Sequence, residues 1–430
     1  MLLTHTYTNS IQKRDLFQLD NAGKLYPAVS TTKWSAMFRL AAVMKEEINP
    51  QLLQKAVDKV MLRFPTMNVK LDSGLFWYYL KKNPEQLIIQ KDIKAPCTPI
   101  SWRNKNAHLL RVLYNNKRIA VEFFHAVTDG SGGMVFLKTL IAEYLRLNNI
   151  FIPYEEEILN PATKPSQAEV IDAYKLMPFP KKKSREIKRG VYHFPGKNLK
   201  TRNNQSIAYS VPVFEIKNRA KTFGVTITEY LAAAILYIGY IVQTKTKHKK
   251  LLPIRVSVPV NMRRFFPTKS LRNCSWMVYP EIIPPFNDLT FEEIAKNVKN
   301  FMSDALLPEN LFAGIAPNVA NEKNIIFKLL PLPVKNFILR IVFKIISNKS
   351  ATETLSNLGV FTAPDELMEH IVSSEFVLGH SKYPATGAAV ITTKDTMRIT
   401  FTSNKRYPIL TKEFENLLQN QGIKISKEQI

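Results

Sequence analysis

The chain has 430 residues, of which 45% are hydrophobic and 22% are charged, and this balance excludes a mostly disordered protein. Two cysteines, Cys97 and Cys274, are too few for a disulfide framework or for a zinc site with four cysteine ligands. The formal net charge is +25, with most of the excess after residue 180. Such an excess of positive charge suits a polyanionic partner, which could be a nucleic acid, an anionic membrane, an acidic carrier protein or a phosphorylated cofactor. Alternatively, it serves solubility alone.

Residues 1–150 are predicted to combine helices with antiparallel strands. Apolar residues recur at helical spacing from residue 50 to 63 and again from 134 to 147. Four short strand candidates lie between these helices, at 75–80, 87–90, 109–114 and 119–124. Asn115 and Asn116 separate the last two candidates and indicate a hairpin turn.

Residues 158–206 interrupt this pattern with five prolines and with a basic run at 181–189. Proline-rich and strongly charged segments are typical of a crossover between domains. We therefore predict a first domain over residues 1–160, a crossover at 161–206 and a second domain over 207–430.

The second segment again mixes strands and helices. Thr226 and Glu229 form a capping-box pattern that starts a helix, which continues to about residue 242 and is apolar nearly all round. The remaining predictions are helices at 290–306 and 410–419 and strands at 207–214, 251–260, 276–283, 372–379, 387–393 and 396–402. These patterns indicate two similar α+β layered domains, and no dinucleotide-binding fingerprint or P-loop occurs.

The sharpest local pattern is a histidine at the end of an apolar strand, followed by an aspartate and a glycine-rich turn. His125 ends the strand, Asp129 follows four residues later, and Gly130 opens the turn before the next helix. A neutral imidazole at a strand edge can accept a proton from a hydroxyl, thiol or amine at neutral pH. Taken alone, a buried histidine beside a turn aspartate is the simpler interpretation. A metal site lacks a third ligand nearby, and Ser131 does not lie in a Gly-x-Ser-x-Gly elbow.

The segment from His125 to Gly130 resembles the His-x-x-x-Asp-Gly signature of the CoA-dependent acyltransferase superfamily. This superfamily includes chloramphenicol acetyltransferase, the plant BAHD acyltransferases, peptide-synthetase condensation domains and alcohol acetyltransferases. Three further segments are similar to its elements: residues 17–27, residues 258–263 with Asn273, and residues 356–359. The plant Asp-Phe-Gly-Trp-Gly element is absent, and Phe124 stands where many relatives have a first histidine. Plant-type substrates are therefore not implied.

The resemblance implies an α+β fold of two chloramphenicol acetyltransferase-like α/β sandwich domains with a central tunnel. It also implies an acyltransferase that moves an acetyl or other acyl group from a CoA or carrier-protein thioester to an alcohol or amine, without an acyl-enzyme. His125 would act as the general base of this direct transfer. CoA would be a co-substrate, with no permanently bound cofactor and no metal.

The resemblance assigns roles to other residues as well. Asp129 would face away from the substrate and pair with an arginine, for which Arg263 is the candidate. Ser356 or Asn357 would donate to the oxyanion, with Thr354 as a competitor, although the Ser-Asn-Leu-Gly segment suits a turn equally well.

Two other functions are compatible with the sequence. One is a non-catalytic docking or binding module of the same fold. The other is a condensation-type enzyme, which is a variant of the acyltransferase that uses carrier-protein substrates. Nucleic-acid binding through the lysines at 245–250 is disfavoured, because no recognised nucleic-acid-binding motif accompanies them.

Residues 334–346 combine apolar and basic side chains. Such a helix can lie on an anionic membrane and receive a lipophilic alcohol. A helix packed on the second domain, with its basic side chains reaching solvent, is the preferred interpretation. Residues 1–9 lack a secretory pattern, and the uncharged apolar runs are shorter than the roughly 20 residues of a membrane span. We therefore expect a cytoplasmic protein.

Overall fold

The computed structural model describes residues 16–31, 34–104, 106–180, 190–197, 199, 205–246, 250–379, 384, 386–406 and 408–429. The basic run at 181–189 and the lysine-rich residues 247–249 lie outside the described residues. In the described part of the chain the strands form sheets of three, five and eight strands, and helices pack against them.

The first half of the chain contains two sheets. A small antiparallel sheet consists of β1 (Leu16–Gln18), β4 (Tyr78–Lys82) and β3 (Val69–Ser73), in that order. The five-stranded sheet has the order β13 (Ile371–Leu378), β2 (Met37–Met44), β7 (Arg118–Phe124), β6 (Leu110–Asn115) and β5 (Gln90–Lys91). Its pairs are antiparallel except for β5 with β6.

The second half is built on the eight-stranded sheet. Its strands follow the order β10 (Ser275–Val278), β9 (Ile254–Asn261), β12 (Glu353–Val360), β14 (Thr386–Thr393), β15 (Thr396–Ser403), β8 (Gln205–Pro212) and β16 (Ser426–Gln429), and β11 (Glu281–Ile282) also pairs with β9. The strand β12 is parallel to both of its neighbours, whereas the other pairs are antiparallel.

The helices alternate with these strands. They are α1 (Leu25–Val29), α2 (Pro50–Arg63), α3 (Gly130–Leu147), α4 (Gln167–Val170), α5 (Val213–Thr222), α6 (Ile227–Lys245), α7 (Phe291–Ala305), α8 (Pro308–Lys323), α9 (Ile325–Leu329), α10 (Leu332–Ser350), α11 (Asp365–Met368) and α12 (Ile409–Asn420). The mixture of helices and sheets confirms the predicted α+β class.

Strand pairing joins the two halves of the chain more closely than the predicted domain division implies. The strand β13 comes from the C-terminal segment, yet it pairs with β2 over Phe38–Met44 of the N-terminal sheet. The next strand along the chain, β14, returns to the eight-stranded sheet. The domain boundaries at residues 160 and 206 stay predictions. They do not account for this exchanged strand, because β13 follows residue 206 in the chain and yet pairs in the N-terminal sheet.

Local sequence explains where the main helices begin. The side chain of Asn49 accepts hydrogen bonds from the first turn of α2, which starts with a proline. The predicted capping box of Thr226 and Glu229 is present at the start of α6. The apolar residues of α2 and α3 then pack in one core with the five-stranded sheet. Each fully buried aliphatic side chain contributes about 1.5–3 kcal/mol to such a core.

The bounds of several predicted strands and of one turn differ from the structure. The candidates at 75–80 and 87–90 correspond to β4 (Tyr78–Lys82) and to the short β5 (Gln90–Lys91). The predicted strand at 276–283 is split into β10 and β11, because Pro280 lies between them and has no N–H group for a ladder. The predicted hairpin turn moves by one residue to Asn116 and Lys117, and Asn116 has a φ of 43°. Asparagine tolerates this left-handed conformation better than most residues.

Among the described residues, one helix is long and apolar enough to cross a membrane by length and composition, α6. Most of it is buried inside the protein, where it packs against α7, α12 and β9.

The preferred interpretation of residues 334–346, a helix that packs its apolar side chains on the second domain, is wrong. The segment does form a helix, α10, but its apolar side chains are largely exposed. The residues of α10 that are buried are Leu332 and Lys335.

Candidate active site

His125 lies where β7 turns into α3. The preceding residues pair with β2 in the middle of the five-stranded sheet, and the backbone N–H of His125 donates to the carbonyl of Ala36 at 2.9 Å. The chain then makes a short turn, and Asp129 caps the N-terminus of α3 through a 3.0 Å hydrogen bond from the Gly132 N–H. The imidazole is thereby held at the end of a buried strand.

Asp129 is fully engaged by groups of the second half. Arg263 Nη1 lies 2.9 Å from Asp129 Oδ2, and the Cys274 N–H donates to the same oxygen at 2.7 Å. Burial by itself raises the pKa of the Asp129 carboxyl, but Arg263 and the hydrogen bonds outweigh this and hold the pKa below its usual value. The carboxylate therefore stays ionised, and its hydrogen bonds come from Gly132, Arg263 and Cys274.

Arg263 lies just after β9, in a single helical turn, and binds backbone as well as Asp129. Its Nε donates to the Ser270 carbonyl at 2.9 Å, and its Nη2 donates to the Arg272 carbonyl at 2.6 Å. The guanidinium thus joins the histidine loop to the segment that leads into β10. The ion pair is the one predicted from the sequence, and the catalytic roles of its neighbours stay predictions.

The amide of Asn273 determines which nitrogen of His125 carries the proton. Asn273 Nδ2 lies 2.9 Å from the His125 carbonyl oxygen and 3.1–3.2 Å from the two carboxylate oxygens of Asp20, so it must be the donor end of the amide. Asn273 Oδ1 then faces His125 Nδ1 at 2.9 Å, and an acceptor there requires a protonated Nδ1. The Nε2 atom of the neutral ring is consequently left with a free lone pair.

Asp20 fixes the orientation of the Asn273 amide. Its side chain is fully buried and also accepts a 2.6 Å hydrogen bond from the Gly23 N–H, while Arg272 lies 3.6 Å away. The negative carboxylate keeps the Asn273 amide from flipping, because a flipped carbonyl oxygen would face the carboxylate oxygens. Asp20 is therefore a positioning residue for His125 through Asn273.

Two aromatic rings hold the plane of the imidazole. Tyr26 stacks on His125 with ring centroids 4.8 Å apart, and Phe38 meets its edge at 5.1 Å. Burial, with the charges of Asp20 and Asp129, raises the pKa of the Tyr26 hydroxyl well above its usual value. Tyr26 is therefore a neutral neighbour of the imidazole at physiological pH.

His125 opens onto a cavity of about 640 Å³ between the two halves. Tyr26 and Phe38 line it from the first half, and Val258 and Leu358 line it from the second. Its wall is more apolar than polar, and it is large enough for a small-molecule substrate. The histidine is partly exposed in this wall rather than sealed among packed side chains.

Two glycines of the motif allow the halves to approach each other. A Cβ atom on Gly130 would lie 2.6 Å from a methyl group of Leu358, which belongs to β12. A Cβ atom on Gly132 would overlap the Leu271 carbonyl oxygen and the Thr128 hydroxyl. The backbone contact excludes a side chain at position 132, whereas a side chain at position 130 would require Leu358 to move.

The predicted candidates for an oxyanion donor lie together in the cavity wall. Ser356, Asn357 and the competitor Thr354 all line the cavity and belong to the strand β12 rather than to a turn. Asn357 Nδ2 donates to Thr228 Oγ1 at 3.0 Å, and its Oδ1 accepts from the Gly359 N–H at 2.9 Å. The amide nitrogen has a second hydrogen, so the choice among these residues stays a prediction.

Sequence reasoning did not assign roles to Asp20, Tyr26 or Asn273. All three lie in segments that resemble superfamily elements, but their pairing with His125 spans up to 148 residues of chain. A buried aspartate so early in the chain could have signalled a structural role, but its partner was not readable from spacing.

No protein-family model and no curated protein matches the chain. Solved structures do match over most of its length. A trichothecene 15-O-acetyltransferase from Fusarium sporotrichioides is 13% identical, with 94% of each chain covered and a TM-score of 0.60. The first condensation domain of the calcium-dependent antibiotic synthetase is 12% identical, with coverage of 94% of this chain and 95% of that chain and a TM-score of 0.60.

A third solved structure contains coenzyme A. F. graminearum TRI101, complexed with coenzyme A and T-2 mycotoxin, is 11% identical, with 94% of this chain and 97% of that chain covered and a TM-score of 0.60. Similarity at this level of identity establishes the fold. The chain therefore has the two-domain fold of condensation domains and acetyltransferases, as its resemblance to the CoA-dependent acyltransferase superfamily implied.

Proposed function

We propose that this protein is an acyltransferase that moves an acetyl or other acyl group from a thioester to an alcohol or amine, with His125 as the general base. The observation that carries the proposal is the hydrogen bond from His125 Nδ1 to Asn273 Oδ1, which leaves Nε2 free in the wall of the cavity. General bases of this kind need a lone pair directed at the substrate and a partner that fixes the tautomer.

The proposed reaction has two steps. His125 Nε2 takes the proton of the acceptor hydroxyl or amine as the oxygen or nitrogen attacks the thioester carbonyl. The tetrahedral intermediate then collapses, the carbon–sulfur bond breaks, and the leaving thiolate takes the proton back from Nε2. No acyl-enzyme forms, and the imidazole ends as it began. Positioned proton transfer of this kind contributes about 10²–10⁴-fold to the rate.

The negative charge that develops on the carbonyl oxygen needs a donor, and Ser356 is our candidate. Its side chain is 9% exposed in the cavity wall on the second half, opposite the histidine loop of the first half. A hydroxyl donor held in a mostly apolar cavity stabilises the developing negative charge more than the same donor does in water.

The donor of the acyl group is proposed to be CoA or the phosphopantetheine of an acyl carrier protein. The net charge of +25 suits either, because both carry phosphate and a carrier protein is acidic. Arg264 lines the cavity and is exposed, so it can meet a phosphate there. The two donors are distinguished by salt, since docking of an acidic carrier on a basic face weakens steeply with ionic strength. A cytoplasmic location, where these thioesters occur, is part of the proposal.

The experiment measures release of free thiol from acetyl-CoA and longer acyl-CoA in the presence of a panel of alcohols and amines. We expect acceptor-dependent release that falls about 10²–10⁴-fold in His125→Ala. The matched control is His370→Ala, because His370 lies outside the cavity and pairs with an exposed glutamate. Product analysis then assigns O- or N-acylation.

The second candidate is a non-catalytic docking module of the same fold. The net charge of +25 supports it, because a basic surface suits docking of an acidic carrier protein. Equal thiol release by the wild type and His125→Ala would refute the base role. Binding of acyl-CoA without any acceptor-dependent release, across the whole panel, would instead favour the docking module.

A further inference from the structure

The helix α10 is amphipathic in the opposite sense from an ordinary surface helix. On the side that faces the protein, Asn336 Nδ2 donates to the Tyr78 hydroxyl at 2.9 Å. In the first turn of the helix, the buried Lys335 donates from Nζ to the Phe76 carbonyl at 2.8 Å. Arg340 Nε donates to the Ala28 carbonyl at 2.8 Å. The helix is therefore attached to the first half by hydrogen bonds from polar side chains. Most of its apolar side chains take no part in this attachment and are exposed.

Those apolar side chains form a stripe that faces solvent. They recur at spacings of three and four residues, which places them on one face of the helix. The members are Val334, Phe337, Ile338, Ile341, Val342, Ile345 and Ile346, each 36% exposed or more, and Ile325 and Leu329 of α9 are exposed as well. We call this set the outer apolar face. Contiguous exposed apolar surfaces of this kind mark sites of association.

The charge around the outer apolar face has one sign. Residues 324–352 contain four lysines and one arginine and no aspartate or glutamate. Lys344 and Lys349 are exposed, and their spacing from Ile341 and Ile345 places them at the edges of the stripe. Long basic side chains beside an apolar face can reach the phosphates of a lipid surface while the apolar groups enter it. A protein partner would need an apolar and acidic surface together, whereas an anionic bilayer presents both by its nature.

The same helix also reaches the active-site cavity. Phe343 lies on the opposite side of α10 from the stripe and stacks on Trp34 with ring centroids 4.5 Å apart. Trp34 lies 6.1 Å from Tyr26, which in turn stacks on His125. Phe343 and Ser347 line the cavity. One helix therefore borders the solvent-facing stripe on one side and the wall of the cavity on the other.

We propose that α9 and α10 bind the surface of an anionic membrane through the outer apolar face, and that an apolar acceptor passes from the membrane along α10 into the cavity. The first part stands on exposure and charge alone. The second part rests on the proposed acyltransferase function, because it assigns the acceptor to lipid-soluble alcohols or amines. Basic amphipathic helices of this composition lie in the interfacial plane of a bilayer rather than across it.

The test of membrane binding uses co-sedimentation of the full chain with vesicles of phosphatidylcholine alone and with 30% phosphatidylglycerol. We expect binding to the anionic vesicles. The double variant Phe337→Ser/Ile341→Ser removes two large side chains from the stripe and should weaken binding at least tenfold. The matched control is Ile93→Ser/Phe151→Ser, which changes the same two residue types at more exposed positions outside the stripe and should bind as the wild type does.

The charge of the surface has its own test. Lys344→Gln/Lys349→Gln should weaken binding to anionic vesicles about 25-fold, because each basic residue near such a surface contributes about fivefold. The control Lys55→Gln/Lys296→Gln removes the same charge from exposed positions of α2 and α7 and should change binding little. Binding by the wild type should also fall as salt rises.

Three results would overturn the membrane proposal. The wild type would fail to bind anionic vesicles at low salt, or the stripe and control variants would bind equally. Alternatively, the protein would be a dimer that Phe337→Ser/Ile341→Ser converts to a monomer, without vesicle binding, which would assign the face to a second copy of this chain. Thiol release is measured in parallel with the water-soluble acceptors and with lipid-soluble alcohols and amines supplied in the anionic vesicles. Vesicle binding without any thiol release refutes the enzyme and leaves the membrane contact standing.

Discussion

The hydrogen bond between Asn273 and His125 gives a prediction that separates catalysis from stability. In the resting enzyme the bond joins a neutral N–H to an amide oxygen, and such a bond contributes about 0.5–1.5 kcal/mol. In the transition state the ring gains a proton, and a bond to a charged group contributes about 1.5–3 kcal/mol. The difference of about 1–1.5 kcal/mol is gained only as the reaction proceeds. Asn273→Ala should therefore lower kcat about 5- to 12-fold.

The same substitution also removes the Nδ2 donor that contacts both oxygens of the buried Asp20 carboxylate. Loss of this donor should cost about 1–3 kcal/mol in the free energy of unfolding. Asn83→Ala is the matched control, because Asn83 is also buried and hydrogen-bonded but lies outside the cavity lining. It should lower stability by a similar amount and leave kcat as in the wild type.

The assay is steady-state thiol release over a range of pH, together with urea unfolding of both variants. We expect kcat to fall in Asn273→Ala with little change in KM, because Asn273 does not line the cavity. If Asn273→Ala unfolds at lower urea but keeps the kcat and pH profile of the wild type, the tautomer argument is refuted and Asn273 is structural only.

Three further predictions concern stability and are measured by urea unfolding. Arg263→Met leaves the Asp129 carboxylate buried without a cation and should cost about 3–5 kcal/mol at pH 7, and a cost below about 1 kcal/mol would contradict the buried pair. Burial raises the pKa of Glu353 to about 8, so stability should fall as pH rises from about 4.5 to 8, by as much as about 5 kcal/mol, and Glu353→Gln should abolish this fall. Gly132→Ala should cost about 1–3 kcal/mol through overlap with fixed atoms, whereas Gly190→Ala, which meets nothing within 4 Å, should cost little.

The contacts of the histidine loop explain how the proposed base depends on both halves of the protein. His125 and Asp129 belong to the first sheet and its helix, but the groups that fix them, Asn273, Arg263 and the Cys274 N–H, all come from the segment between β9 and β10. The exchanged strand β13 strengthens the same junction, because it pairs with β2 beside the histidine strand. A substitution that separates the halves should therefore remove the partners of the base as well as widen the cavity.

The elements that depend on neighbouring residues were predictable from the sequence. The helix at 50–63 was predicted with the bounds that the structure has, because its apolar spacing and its start at a proline are local properties. The capping box at Thr226 and Glu229 is likewise a contact over three residues. The end of the strand at His125, the aspartate that caps α3 and the following glycines are consecutive in the chain, so their arrangement was also readable.

Tertiary structure alone decided the features that join distant residues. Nothing local distinguishes β13, which pairs with the first sheet, from β14, which pairs with the second, because both are short apolar strands. The partner of His125 is 148 residues away, and an asparagine carries no pattern that reveals its acceptor. The composition of residues 334–346 predicted a helix with apolar and basic side chains, but composition does not tell which side chains face solvent. The hydrogen bonds of Asn336 and Arg340 to Tyr78 and Ala28 attach one side of the helix to the protein and leave the apolar stripe on the other side.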